Sequence, residues 1–263
     1  MYRFLLILVA LVFNPSAYAY QRIVLLAPAA GDIFNKLGAQ DSIVGVTRNN
    51  FDFPNALKIG SHIKPNVELI KGLDPDLIII SSNRFFSQQM ASVIDADTLT
   101  YNPETLEEIL SEINRYGAIL EKQTQADELV AQLTQLLMEL KPIAVPPKVV
   151  YEVTENPYII AGKQSIIKSI IEHAGGKLFA PSNRKIAKFN IESVLMENPD
   201  FYIYQQGPMN KVPTPPADRK NFSLIDSQFI KVDQLSFSRA TTDSFYHAME
   251  LNKRFIAHNK LSD

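Results

Sequence analysis

The side chains best suited to hold a ligand in this sequence are a set of cations. They are Arg84, Arg184, Lys185, Lys188 and Arg239. Because a guanidinium holds a carboxylate or another oxyanion with two hydrogen bonds, this set favours an anionic ligand. Most Lys and Arg side chains on any protein surface are only solvated, so we expect about two of the five to contact the ligand.

The histidines do not form a site for a bare metal ion. His62, His173, His247 and His258 are widely scattered, and the chain contains no cysteine. Transition-metal ions need clustered nitrogen, sulfur or carboxylate donors, which this spacing does not supply. We therefore predict no metal site and no resident cofactor. A metal carried by this protein is expected to arrive already chelated.

Motifs of covalent or metal-assisted catalysis are absent from the sequence. It has no Gly-x-Ser-x-Gly nucleophile turn, no His-Glu-x-x-His and no Gly-x-Gly-x-x-Gly phosphate cradle. Carboxylates that pair only in space are invisible in a sequence, so a two-lobed α/β enzyme of the periplasm stays open as an alternative. The prediction is a protein that is not an enzyme.

Short apolar runs alternate with helical patterns in the first half of the chain. Residues 23–26, 43–46 and 77–80 predict strands, and the last is a continuous apolar run of the kind that parallel sheets bury on both faces. Residues 33–37 predict a helix that ends at Gly38. The order strand, helix, strand indicates an α/β lobe.

The second half of the chain repeats this plan. Strands are predicted at residues 149–151 and 201–204, with a helix at residues 191–196 before the second of them. The Asn-Pro-Asp breaker at residues 198–200 echoes the Asp-Pro-Asp breaker at residues 74–76. Plain α/β architecture also produces weak repetition of this sort, so the repeat supports the fold class alone.

Two helical stretches lie between the halves. Asn102 is the predicted cap of the first, with Pro103 in its first turn. An apolar stripe from Ala126 to Leu140 predicts a second helix of about 19 residues, close to 30 Å long, which Pro142 stops. This helix is long enough to join two lobes, although an ordinary packed helix fits the pattern equally well.

The first residues of the chain predict export. Arg3 precedes an apolar run at residues 4–13, and Ala17-Tyr18-Ala19 has the small-x-small pattern of a signal-peptidase site. The run is too short to span a bilayer, which takes about 20 residues. Without cysteine the chain has no site for lipid attachment, and its formal net charge of −2 argues against nucleic acid as a partner. We predict a monomer in the periplasm without a membrane anchor.

The expected fold is α/β, with two Rossmann-like lobes that contain parallel sheets and are joined by a single long backbone helix. The first half is acidic, with 10 Lys and Arg against 16 Asp and Glu over residues 20–145, and the second is mildly basic. The predicted parts are a signal peptide at 1–19, an N-terminal α/β lobe at 20–121, a linker helix at 122–142 and a C-terminal α/β lobe at 143–263.

An ordered set of short segments resembles one family over nearly the whole mature chain. The segments are Arg22-Ile23-Val24, Pro28-Ala29, Leu37-Gly38-Ala39, Ile43-Val44-Gly45-Val46-Thr47, Gly60, Pro65-Asn66-Val67-Glu68, Pro75-Asp76-Leu77, Ala161-Gly162, Ala174-Gly175-Gly176, Glu192 and Asn198-Pro199-Asp200. Each is common alone, but together they resemble the binding proteins of ABC importers for cobalamin, ferric siderophores and haem.

The resemblance implies a periplasmic substrate-binding protein that captures a metal chelate between two lobes and delivers it to a permease dimer. In that family a glutamate on each lobe docks into arginine pockets of the permease, and Glu68 and Glu192 occupy the matching positions. Solvated glutamates favoured by the dipole of their helix would look the same in sequence. A ligand sensor without a transport role remains a further alternative.

The resemblance also implies which loops line the ligand. The expected contacts are Asn50, Phe51, His62, Arg84, Tyr158, Lys188, Phe189, Gln206 and Arg239. His62 stands where cobalamin binders of the family carry an aromatic residue, which puts cobalamin in doubt. A histidine there could ligate haem iron, hydrogen-bond a siderophore or belong to a surface loop. A ferric siderophore, cobalamin and haem therefore all stay open as the cargo.

Overall fold

The computed structural model describes residues 19–262, so the predicted signal peptide lies outside the described residues apart from Ala19. The strands are β1 Ile23–Leu25, β2 Ile43–Val46, β3 Leu57–Lys58, β4 Gly60–Ser61, β5 Lys64–Pro65, β6 Leu77–Ile80, β7 Asp97–Thr100, β8 Lys148–Thr154, β9 Ile159–Ala161, β10 Lys177–Leu178, β11 Ile186–Lys188, β12 Phe201–Gln206 and β13 Gln228–Asp233. The helices are α1 Ala30–Lys36, α2 Val67–Gly72, α3 Gln88–Ala91, α4 Leu106–Ile119, α5 Gln123–Met138, α6 Ile166–His173, α7 Ile191–Met196, α8 Gln234–Phe237 and α9 Asp243–Ser262.

The N-terminal sheet has the strand order β3-β2-β1-β6-β7, and every pairing in it is parallel. Alternate residues of its central strands enter two different apolar clusters. Ile23 and Leu25 join the cluster on one face of the sheet, whereas Val24 joins the cluster on the other. Both faces are therefore buried, which explains why residues 77–80 are continuously apolar in the sequence.

The C-terminal sheet has the order β11-β9-β8-β12-β13, with β10 beside β8. The pairings among β8, β10, β12 and β13 are parallel, whereas β9 pairs antiparallel with both β8 and β11. The expectation of a parallel sheet therefore holds for four of its strands only. Residues 155–158 join β8 directly to β9, and a connection this short permits only an antiparallel pair.

The two lobes repeat the same backbone contacts at their breakers. The Asp76 carboxylate accepts from the backbone nitrogen of Arg22 at 3.0 Å, just before β1. The Asp200 carboxylate likewise accepts from the backbone nitrogen of Lys148 at 2.6 Å, at the start of β8. Asp74 and Asn198, with φ angles of 47° and 43°, turn the chain before these two aspartates. The internal repeat predicted from the sequence is thus present in three dimensions.

Helices α4, α5 and α9 pack side by side and connect the lobes. One apolar cluster runs from β1 through Ile113, Leu129 and Phe245 of these helices to β8. Helix α5 has 16 residues and is about 24 Å long, so it is shorter than the predicted linker of residues 122–142. Pro142 disfavours a helical conformation in the preceding residue. The Asn252 side chain instead holds the backbone nitrogen and carbonyl of Lys141, at 3.0 and 2.8 Å.

Helix α4 begins later than the sequence interpretation placed it, which corrects the cap assigned to Asn102. The cap is Thr105, whose hydroxyl accepts from the backbone nitrogen of Glu108 at 3.1 Å. The Glu108 side chain in turn accepts from the backbone nitrogen of Glu104 at 2.6 Å. This is close to the Thr-x-x-Glu capping box, which is more specific than an Asn-Pro opening. Asn102 is thereby left on the loop before the helix.

Candidate functional site

A cleft of about 450 Å³ lies between the two lobes. One wall consists of residues at or just beyond the ends of β1, β2, β6 and β7 and on the turn between β4 and β5. The other consists of residues at the ends of β8 and β12, the start of α6, the approach to β11 and the segment from α8 to α9. Ligands of open α/β sheets bind beyond the carboxyl ends of the strands, and the cleft has this position.

Three cationic side chains, Arg48, Lys185 and Arg239, line the cleft. None of the described residues that line it carries a carboxylate. Lys185 Nζ donates to Asn102 Oδ1 across the cleft at 2.6 Å. The guanidinium groups of Arg48 and Arg239 make no hydrogen bond or ion pair within the described part of the chain. The described lining of the cleft therefore carries positive charge and no carboxylate of its own.

Arg239 is the partly buried member of this trio, on the segment between α8 and α9. Desolvation lowers the pKa of Arg239, and the nearby carboxylates Asp52 and Asp233 partly offset this effect. A guanidinium stays charged at any physiological pH despite such a shift. Arg239 thus presents a desolvated charge to the cleft, where an oxyanion would form a stronger contact than it would in water.

His62 lies on the turn between β4 and β5, at the mouth of the cleft. Its ring meets the Phe85 ring edge-on, with 5.8 Å between ring centroids. Partial desolvation lowers the pKa of His62, and the positive charge of Arg239 lowers it further. At neutral pH the uncharged form of the imidazole is therefore favoured, in which one ring nitrogen donates a hydrogen bond and the other accepts one.

The floor of the cleft combines polar and apolar groups. Tyr101, which directly follows β7, lines the cleft, and its hydroxyl donates to the carbonyl of Ala240 at 2.6 Å. Ile166, Ile167 and Leu235 supply apolar surface on the opposite wall. Such a mixture of apolar walls and a few placed polar groups is typical of small-molecule sites.

Of the nine predicted ligand contacts, the structure places His62 and Arg239 on the cleft wall. Arg84 is exposed and stacks over Phe85, with 5.5 Å between its guanidinium carbon and the ring centroid. Phe51 is 74% exposed, and Lys188 is exposed on the edge strand β11. These three side chains do not line the cleft.

The remaining four predicted contacts are turned to other partners. Asn50 is buried beneath the loop after β2, where its side-chain oxygen accepts from the backbone nitrogen of Asp52 at 3.0 Å. Tyr158 and Phe189 pack into the apolar cluster on the outer face of the C-terminal sheet. Gln206 donates to the carbonyl of Lys211 at 3.1 Å. The aromatic and amide residues expected in the cleft thus serve the fold here.

Sequence reasoning did not assign Arg48 and Tyr101 as ligand contacts, although both line the cleft. Arg48 and Tyr101 come within two residues of the ends of β2 and β7, so the rule for carboxyl ends of strands could have found them. Lys185 belonged to the predicted cationic set. It precedes β11, an antiparallel strand that the sequence did not reveal.

Neither a metal-binding cluster nor a membrane-spanning helix occurs within residues 19–262. No group of three or more His, Cys, Asp or Glu side chains in this range could hold a metal ion. No helix in the same range combines the length and apolar character needed to cross a bilayer.

A family model described as periplasmic binding protein matches residues 23–226, which include most of both sheets. The chain belongs to the periplasmic binding protein family. The resemblance stated from the sequence is thereby confirmed. The matched residues include all of the N-terminal cleft wall and most of the C-terminal one, so the family assignment applies to the cleft itself.

Similar proteins of this family are known by sequence and by structure. A vitamin B12-binding protein of Vibrio cholerae is 28% identical over 205 residues, 74% of this chain and 74% of that protein. The crystal structure of a periplasmic vitamin B12 binding protein of Vibrio cholerae has a TM-score of 0.77 and 21% identity, with 92% of this chain and 98% of that chain covered. Staphylococcus aureus IsdE complexed with haem has a TM-score of 0.74 and 21% identity, with 89% and 98% covered. Both structures share the fold of this periplasmic binding protein.

Glu68 and Glu192 have equivalent positions on the two lobes of this periplasmic binding protein. Each is exposed in the first turn of a six-residue helix, α2 or α7, which is capped by Asn66 or Asn190. Each follows a cleft-lining residue, His62 or Ile186, by six positions. Both helices lead into a parallel strand, so their first turns lie at the cleft-side edge of each sheet.

Proposed function

We propose that this periplasmic binding protein is the substrate-binding component of an ABC importer and that it carries an anionic metal chelate. The observation that supports the proposal is the interlobe cleft, which is lined by Arg48, Lys185 and Arg239 and by none of the described carboxylates. The N-terminal half of the chain, residues 20–145, contains 16 Asp and Glu residues, yet none of them lines the N-terminal wall of the cleft. This absence supports a cleft suited to an anion.

The charge of the cleft favours an anionic chelate over a neutral corrinoid. Similar proteins are named for vitamin B12, or were solved with haem, so several chelates belong to the range of ligands. Ferric citrate, catecholate siderophores and haem present carboxylate or phenolate oxygens, whereas cyanocobalamin has no net charge. A partly desolvated guanidinium such as Arg239 gains most from a carboxylate or phenolate partner. Cobalamin therefore ranks below the anionic chelates.

The proposed delivery step uses Glu68 and Glu192 as docking residues for a permease dimer. Two exposed carboxylates at equivalent places on two lobes offer a charge-complementary and oriented contact. Bond making has no place in this function, so the chain is proposed to be a binding protein that is not an enzyme and needs no resident cofactor. Its cargo carries the metal.

The proposed location is the periplasm, with the protein acting as a monomer without a membrane anchor. Support comes from the family described as periplasmic binding protein and from the signal peptide that the sequence predicts at residues 1–19. One similar Bacillus subtilis protein is named a substrate-binding lipoprotein. Cysteine, the residue that carries such a lipid, does not occur in this chain.

Calorimetric titration of the purified protein with four probes tests the proposed cargo. The probes are ferric citrate, ferric haem, a ferric catecholate and cyanocobalamin. We expect at least one anionic chelate to bind more tightly than cyanocobalamin. Tighter binding of cyanocobalamin would contradict the anionic assignment, and no binding of any probe would contradict the proposed function.

A pair of arginine variants locates the binding in the cleft. Arg239→Gln should lower the affinity for the anionic probe about 10- to 100-fold. The substitution removes a hydrogen bond between charged groups, which is worth about 1.5–3 kcal/mol. Arg254→Gln removes an arginine that is exposed on α9 and pairs with Glu250 at 2.8 Å, so it should leave affinity unchanged. Equal affinity in both variants would show that the ligand does not bind at Arg239 in the cleft.

A further inference from the structure

A short segment of the C-terminal lobe, residues 239–242, is bonded to the N-terminal lobe. The Tyr101 hydroxyl donates to the carbonyl of Ala240 at 2.6 Å. The Asp32 carboxylate accepts from both the backbone nitrogen and the hydroxyl of Thr242, each at 2.8 Å. Lys36 Nζ pairs with the same carboxylate at 3.3 Å and also donates to the Thr242 hydroxyl. The segment is thus fixed at two points by the opposite lobe.

Arg239 begins this segment, and its backbone is more constrained than its side chain. The Arg239 carbonyl accepts from the backbone nitrogen of Thr241 at 2.9 Å and from the Ser244 hydroxyl at 3.2 Å. Within residues 19–262 its guanidinium has no hydrogen bond or ion pair, although it lines the cleft. A fixed backbone with an unpaired charged head is the arrangement expected of a residue that is held ready for a ligand.

We infer that Asp32 and Tyr101 are positioning residues, which hold Arg239 in the geometry that receives an anionic group of the ligand. The inference rests on the proposed function, because it assumes that Arg239 contacts the cargo. The inference also goes beyond the proposed function, because neither residue offers the cargo a positive charge and Asp32 does not line the cleft.

The state of both groups suits this role. Burial raises the pKa of Tyr101 well above its usual range, and the carboxylates of Asp32 and Glu112 raise it further. Tyr101 therefore keeps its proton and can donate to Ala240. The Asp32 carboxylate accepts hydrogen bonds from Thr242 and pairs with Lys36, so it contacts the segment and does not contact the Arg239 guanidinium.

Other contacts between the lobes separate this role from simple attachment. His173 Nε2 on α6 of the C-terminal lobe and Glu107 Oε1 on α4 meet at 2.9 Å, and the hydrogen bonds of the His173 ring lie outside residues 239–242. Glu107→Gln is therefore a matched control that weakens an interlobe contact without touching the Arg239 segment. If Asp32 and Tyr101 only held the lobes together, all three substitutions would act alike.

Hydrogen exchange of the ligand-free protein is the first part of the test, and it needs no ligand. Tyr101→Phe keeps the ring that packs 6.0 Å from the Tyr116 ring and removes only the donor. We expect faster exchange in peptides that cover residues 240–244 for Tyr101→Phe and Asp32→Ala, and no change there for Glu107→Gln. Unchanged exchange in both of the first two variants would overturn the inference.

Affinity for ferric citrate, measured by calorimetry, is the second part, with ferric haem used as well. Tyr101→Phe and Asp32→Ala should each weaken binding about 2- to 10-fold, the equivalent of one net hydrogen bond. By charge alone, removal of the Asp32 carboxylate would strengthen the binding of an anion, so weaker binding reports positioning.

The same substitutions in an Arg239→Gln background complete a double-mutant cycle. They should have little further effect there, because the residue through which they act is gone. Full additivity, or unchanged affinity in the single variants, would overturn the positioning role. If the wild type binds none of the four probes, the proposed function fails as well, a result that exchange data alone cannot give.

Discussion

Replacement of Arg219 by Met should remove the partner of a buried carboxylate and strongly destabilise the C-terminal lobe. Glu152 lies on β8 with its side chain 0% exposed, and Arg219 is 9% exposed. The guanidinium contacts both carboxylate oxygens, one of them at 3.0 Å, and the Tyr202 hydroxyl donates to the same group. In the variant the Tyr202 hydroxyl would be the remaining side-chain donor to this charge among the described residues.

The expected loss follows from this burial. Breaking a buried ion pair by removal of one partner costs about 3–5 kcal/mol, because the other charge stays buried without compensation. Arg254→Met is the matched control, since Arg254 and Glu250 form an ion pair with side chains 49% and 62% exposed. That exposed pair is worth about 0.5 kcal/mol or less.

Urea unfolding followed by far-ultraviolet circular dichroism measures both losses. A second substitution, Glu152→Gln, removes the lone charge and should restore at least half of the stability that Arg219→Met loses. A loss below about 1 kcal/mol for Arg219→Met, or no recovery in the double variant, would refute the argument from uncompensated charge.

Three further predictions address docking, electrostatics and packing. Glu68→Gln together with Glu192→Gln should abolish uptake of the cargo in cells and leave calorimetric affinity unchanged, because neither residue lines the cleft; normal uptake would discard the docking role. Arg239→Gln should raise the pKa of His62 toward its usual value, since desolvation is the larger cause of the lowering and Arg239 is the other; proton NMR titration of the imidazole checks this, and a pKa that stays or falls would contradict it. Gly162→Ala places a Cβ atom 2.0 Å from a backbone carbonyl oxygen and should cost about 1–3 kcal/mol or more in urea unfolding; wild-type stability would show that the backbone there yields.

The sequence predicts the scaffold well because burial on both faces of a sheet leaves a clear pattern. The runs at residues 43–46 and 77–80 match β2 and β6, and Gly38 follows α1 with a φ angle of 71°. Helix α7 likewise has the predicted bounds. These elements depend on local composition, which a single sequence displays directly.

The cleft is harder to predict because side-chain direction is set by packing between segments that are distant in the chain. From the sequence, Phe189 and Tyr158 are predicted to be loop residues that face the ligand. Both instead pack against the apolar cluster that contains Tyr202 on the outer face of the sheet. Lys185 reaches the cleft because β11 pairs antiparallel with β9, and the pattern of residues 186–188 did not indicate a strand. His62 and Arg239 were found because a family resemblance placed their loops at the cleft.

The repeat of the two lobes has a consequence for encounters with a receptor built from two identical subunits. Glu68 and Glu192 lie at the same place in each copy of the plan, at the same step along the chain from a cleft residue. Rotation of the molecule by half a turn would therefore exchange one acidic shoulder for the other. A receptor with two-fold symmetry could therefore bind the protein in either of these two orientations.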